Sequence, residues 1–214
     1  MATKLREPCR LARYDRTERT VHWVHAGAFG ALFASGLCLY LPSLAEAVGR
    51  RPLLKAIHLW TAVAWLAALV LVVALGDRRS LRRTLREVDR WDADDRAWFR
   101  DRKRPQGRMN AGQKLNTIAT AAFAVLFGVT GFFLWYGERD TRFRLPNALL
   151  AHDWLMYGSV FLLAGHLYLS LVHPATRHAL SGITRGWVRE DWARRRHAKW
   201  VAEVTGEGGQ PPSG

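Results

Sequence analysis

The sequence predicts an all-α integral membrane protein, a four-helix bundle with both termini on the cytoplasmic side. Three observations carry that prediction. The 214 residues contain four apolar runs, at about 21–41, 53–75, 112–136 and 148–173, each close to the roughly 20 residues that cross a bilayer. The 32 Lys and Arg and 18 Asp and Glu, a net charge of +14, are concentrated between those runs, so a slightly negative mean hydropathy averages two unlike kinds of sequence. Finally, the basic residues alternate in density. The amino-terminal arm, the loop 77–111 and the chain after Pro174 hold six, twelve and seven Lys or Arg, whereas the links 42–52 and 137–147 hold two and three. Positive charge accumulates on the cytoplasmic side, which puts both termini and the long loop inside.

The elements follow in order. The arm MATKLREPCRLARYDRTERT leads into the first span. Ala45-Glu46-Ala47 resembles a signal-peptidase site, but the basic region is long for a signal and cleavage would discard His22 and His25, so the span reads as an uncleaved anchor. Gly49-Arg50-Arg51-Pro52 links it to the second span, which Gly76 ends. The loop SLRRTLREVDRWDADDRAWF predicts one or two short amphipathic helices lying along the membrane surface. In the third span Gly128 and Gly131 permit close helix approach. Residues 1–176 therefore read as the membrane domain and 177–214 as a basic cytoplasmic tail, disordered from about Thr205. With this topology Trp60, Trp135, Tyr136 and Trp154 fall at the outer interface and Trp23 at the inner one, as an aromatic belt requires.

Several functions are excluded. The arginines flank apolar spans, an arrangement of membrane orientation and not of a nucleic-acid surface. Cys9 and Cys38 are too few for a disulfide framework or an iron–sulfur cluster.

The fourth span holds the informative spacing. His152 and His166 are fourteen residues apart, nearly four helical turns, so they share a face and stand roughly 21 Å apart along the axis. The small Ser159 lies midway between them. The topology places His58 and His152 near the outer surface, and His22 and His166 near the inner one. Each pair can hold the iron of a b-type haem from opposite sides, leaving no open position for oxygen; two such haems would carry electrons across the membrane. A lone histidine in an apolar helix more often bonds a neighbour, but four at two matched depths outweigh that reading. His25 is the rival to His22. His173 reads as interfacial, and His178 and His197 as solvated residues of the tail. Asp153, at the rim, gives no buried proton relay.

The stretches RTVHWVHAGAFGALFASG, KAIHLWTAV, MNAGQKLN, LLAHDWLMYG, LLAGHLYLSL and SGITRGWVREDWARRRHAKW resemble, in the same order over about residues 13 to 202, the di-haem cytochrome b (gamma) subunits of membrane-bound respiratory formate dehydrogenases. The resemblance implies that His22, His58, His152 and His166 are the axial haem ligands. It implies that Asn110, Gly112, Gln113 and Lys114 help form a quinone pocket beside the inner haem. It further implies two haem b, a menaquinone or ubiquinone acceptor, an iron–sulfur subunit and a molybdenum- or tungsten-pterin catalytic subunit as partners, and a bacterial inner-membrane location. Formate itself would be oxidised in the partner, not in this chain. Asn110, Gln113 and the Gly112 backbone offer hydrogen bonds to a quinone oxygen; Asn110 could equally cap a helix and Gly112 serve packing. Two other readings are a cytochrome b of a nickel–iron hydrogenase or similar oxidoreductase, and a haem-free membrane anchor.

Overall fold

A computed structural model describes residues 9–207. Apart from one two-stranded ribbon, the regular structure among them is helical. Four helices are long and apolar enough to cross a membrane: α1 (Arg16–Tyr40), α3 (Arg51–Leu75), α6 (Ala111–Gly137) and α7 (Ala148–Leu167), whose last turn widens over Tyr168–Val172 so that His173 N donates to Tyr168 O at 2.9 Å. At 1.5 Å per residue each is about 37–40 Å long, enough for a hydrocarbon layer of about 30 Å. Their apolar side chains lie outward: Phe161 is 81% exposed and Leu75 78%, which in water would be untenable and in lipid is a solvated surface. The helices extend a few residues past the apolar runs because polar first turns, such as Arg16-Thr17-Glu18 in α1, remain helical beyond the apolar part.

The described chain divides into two compact units. One comprises residues 16–82 and 128–156. In it α1 packs along α3, joined through a short helix the sequence did not announce, α2 (Pro42–Val48), which Pro42 starts and Gly49 ends. At the other end of the pair, Asp77 N donates to Thr17 Oγ1 at 2.9 Å. Lys55 Nζ meets Glu138 Oε1 at 2.6 Å, tying α3 to the end of α6.

The other unit comprises residues 9–15, 83–127 and 157–207. The predicted loop helices are α4 (Arg78–Asp89) and α5 (Ala93–Trp98), the latter opened by a reciprocal capping box between Asp92 and Asp95, which satisfies two otherwise unpaired N–H groups. The chain beyond Arg177 is folded well past its basic composition. It forms α8 (Leu180–Arg185), β2 (Trp187–Arg189), α9 (Glu190–Arg196) and α10 (Ala198–Thr205). Strand β1 (Arg10–Ala12) pairs antiparallel with β2, Leu11 opposite Val188. Val188, Trp192, Ala193, Trp200 and Val201 form a buried cluster with Leu11 and Ala179 against it. This corrects one expectation: His197 is not solvated but 1% exposed, enclosed by Trp192 and Trp200. His178 is exposed, as expected. The predicted disorder from Thr205 lies mostly outside the described residues.

Candidate functional site

His58 sits in the second turn of α3 and His152 in the second turn of α7. Their ring centroids are 6.4 Å apart, with the planes at 69°. Each ring is backed by a helix other than its own. Ser35 Oγ on α1 lies 2.9 Å from His58 Nδ1, and Thr130 Oγ1 on α6 lies 2.8 Å from His152 Nδ1. Ser35 and Thr130 are buried although both stand in outward-facing apolar helices. Each is followed by glycine, and the glycines face the same rings. A Cβ on Gly36 would come within 3.3 Å of His58 Cε1, and one on Gly131 within 3.7 Å of His152 Cε1. Gly36 thus gives the His58 ring its room, Gly131 lies beside His152 at ordinary contact range, and a Cβ on Gly128 would meet nothing within 4 Å. Sequence reasoning missed Ser35 and Thr130. The available signal was the repeated hydroxyl-glycine dipeptide, Ser35-Gly36 and Thr130-Gly131, inside two apolar runs.

The other predicted ligands are half-buried. His22, on α1 in the first unit, meets the Trp23 ring edge-on at 5.2 Å. Its rival His25 packs against Trp65 at 5.6 Å and Phe29 at 6.3 Å. His166 ends the regular part of α7 in the second unit. Among the described residues no group of three or more His, Cys, Asp or Glu could hold a bare metal ion.

The stretch 110–114 forms the first turn of α6, and the structure brings Asn110 and Gln113 together. Gln113 N donates to Asn110 Oδ1 at 2.9 Å, and Asn110 N donates to Gln113 Oε1 at 3.1 Å, a reciprocal cap. Gln113 Oε1 also accepts from Arg13 Nη2 at 3.1 Å. Both side-chain oxygens are thus engaged, leaving the amide N–H groups as donors. Gly112 lies under Trp98, whose ring atoms would be 3.0–3.1 Å from an added Cβ. Lys114 turns away, into a buried pair with Asp95 at 2.6 Å, and also donates to Arg90 O at 2.9 Å.

This turn is held from the folded tail. Arg13, 2% exposed, donates through Nη2 to Arg108 O at 2.6 Å and lies 3.1 Å from His197 Nε2. His197 Nδ1 is 2.7 Å from Gly107 O. A carbonyl only accepts, so Nδ1 carries the proton and Nε2 accepts from Arg13. Burial, and then the neighbouring Arg13 charge, hold the His197 pKa well below its ordinary value. Arg108 returns the tie by donating to Arg13 O at 2.9 Å and to Glu87 at 2.8 Å.

A family model described as prokaryotic cytochrome b561 matches residues 13–186. Similar proteins include the formate dehydrogenase cytochrome b556(fdo) subunit of Escherichia coli (strain K12), 26% identical over 208 residues that cover 91% of this chain and 93% of that protein. The formate dehydrogenase cytochrome b556 subunit of Haemophilus influenzae is 22% identical, covering 91% of this chain and 83% of its own. The cytochrome b556(Fdn) subunit of the nitrate-inducible formate dehydrogenase of Escherichia coli (strain K12) is 20% identical, covering 91% of both.

Proposed function

This chain belongs to the prokaryotic cytochrome b561 family, and from that membership we propose that it is the membrane electron-transfer subunit of a formate dehydrogenase, passing electrons from an iron–sulfur and molybdenum- or tungsten-pterin partner through two b-type haems to a membrane quinone. The family implies b-type haem. The relatives' formate dehydrogenase names, each over 91% of this chain, support the partner assignment.

The observation that carries the reading is the spacing of His58 and His152. Imidazoles bound at about 2.0–2.1 Å on opposite sides of one metal ion put their ring centroids roughly 6–6.5 Å apart, and the observed separation is 6.4 Å. The donors are also of the right chemistry, neutral imidazoles on facing helices with a small residue behind each ring. A haem bound in this way supplies a one-electron carrier. In this proposal His58 and His152 hold the outer haem, and His22 and His166 the inner one. Both termini, the 77–111 loop and the tail 177–214 are cytoplasmic, and the four apolar helices within residues 16–172 form the membrane bundle.

The quinone would dock at the cytoplasmic end, beside the first turn of α6. There the Asn110 and Gln113 amide N–H groups reach a quinone oxygen, Gly112 lets the Trp98 ring close against the turn as one wall of the pocket, and Lys114 anchors the turn through Asp95. Arg13 and His197 hold that turn in place. Charge moving inward while protons are taken from the cytoplasm would generate membrane potential. Measuring two rates in the intact complex tests this end. Asn110→Ala and Gln113→Ala should slow quinol formation while formate still reduces the haems at the wild-type rate. Unchanged quinol formation in both would place the quinone elsewhere.

A further inference from the structure

Resting on the proposed ligation of the outer haem, we infer that Ser35 and Thr130 are positioning residues that fix the protonation and rotation of His58 and His152 and so set the potential of the haem between them. Ser35 has one hydroxyl proton. It is directed at Ala31 O, 2.8 Å away, with Leu32 O at 3.2 Å, as expected of serine inside a helix. Toward His58 Nδ1, at 2.9 Å, the hydroxyl oxygen therefore acts as acceptor, and Nδ1 carries the ring proton. That leaves Nε2 with the lone pair a metal requires. Thr130 Oγ1 approaches His152 Nδ1 at 2.8 Å, and by the same tautomer requirement, Nε2 kept for the metal, its oxygen would accept from Nδ1–H on the opposite side.

The glycine after each hydroxyl completes the arrangement. A Cβ at Gly36 would crowd the His58 Cε1 edge at 3.3 Å, and one at Gly131 would touch the His152 Cε1 edge at an ordinary 3.7 Å, so each ring's Cε1 edge faces the glycine of the neighbouring helix. The ring is then pinned along its Nδ1–Cε1 edge, and Nε2 is the nitrogen left for the iron. Since α1 serves the ligand on α3 and α6 serves the ligand on α7, the two imidazoles are set by different helices. An acceptor on Nδ1–H raises the basicity of a histidine ligand. A more basic ligand favours ferric over ferrous iron, so both hydroxyls lower the potential of this haem and leave the other untouched.

The test is an optical redox titration of the purified complex, which resolves two one-electron components. Ser35→Ala and Thr130→Val should keep two haems per chain and raise one component only. The reduced-to-oxidised ratio at fixed potential should rise by about threefold, or about 28 mV at 59 mV per tenfold. Ser35→Thr and Thr130→Ser should restore the wild-type value, which a merely packing role would not explain. Should Ser35→Ala fail to retain haem, Ser35→Cys, which keeps a weak acceptor, should show a smaller rise in the same component. Two haems with unmoved potentials in the variants overturn this inference alone. A wild-type chain without a b-type band overturns the ligation on which it rests.

Discussion

Acidification should loosen the folded tail through one imidazole. His197 Nδ1–H donates to Gly107 O at 2.7 Å and Nε2 accepts from Arg13 Nη2 at 3.1 Å. A second ring proton would set two donors against each other in a buried site, with Arg13 and Arg196 as the neighbouring charges. The folded state therefore resists protonation far below the ordinary value of 6.5. An unfolded tail takes the proton near that value. Below it the unfolded state binds more protons, so the contribution of His197 is fully present above about 6.5 and is lost as pH falls. The slope is about 1.4 kcal/mol per pH unit until the folded state itself takes the proton. From pH 7.5 to 5.5 the loss comes to about 1.4 kcal/mol, or roughly a tenfold gain in opening. Amide hydrogen exchange of residues 188–201 in detergent, corrected for intrinsic rates, measures it, with His197→Gln as the variant that cannot titrate. Equal protection at the two pH values, or the same tenfold change in His197→Gln, would refute the reasoning.

Other consequences can be checked alongside. Lys114→Met strands Asp95 in a pair whose side chains are 10% and 6% exposed, and should cost about 3–5 kcal/mol by thermal unfolding; adding Asp95→Leu should recover most of it. Gly112→Ala puts a methyl 3.0–3.1 Å from the Trp98 ring, an overpacking of about 1–3 kcal/mol that Trp98→Leu should relieve. Reporter fusions after Pro174 and within 77–108 should read cytoplasmic, whereas those near Glu46 and Asp140 should read external; an external tail would invert the proposed topology.

The membrane helices were legible because each is long enough for its apolar composition to stand out, and their ends follow Pro, Gly and charged residues. The meeting of His58 and His152 was legible through charge counting, since arginine density orients the spans and orientation fixes depth. The folded tail was not. Its β1–β2 pairing joins the two ends of the chain, and no local periodicity announces contacts of that range. Arg13 looks like every other arginine of the amino-terminal arm, and only its partners, Arg108, Gln113 and His197, make it a buried one. Ser35 and Thr130 were equally hidden, because a lone hydroxyl in an apolar helix ordinarily bonds its own backbone. The Asn110–Gln113 spacing suits both a helix cap and a pair of donors, and in the fold the two residues cap each other through their oxygens.

The central claim is that two histidine pairs each hold one b-type haem. A pyridine haemochrome assay on the purified complex tests it directly, comparing wild type with His58→Ala, His152→Ala, His22→Ala and His166→Ala. The account predicts two haem b per chain in wild type and about half the signal in each variant, the first two variants losing one redox component and the last two the other. A wild type without a b-type band, or His22→Ala retaining both haems while His25→Ala loses one, would contradict it.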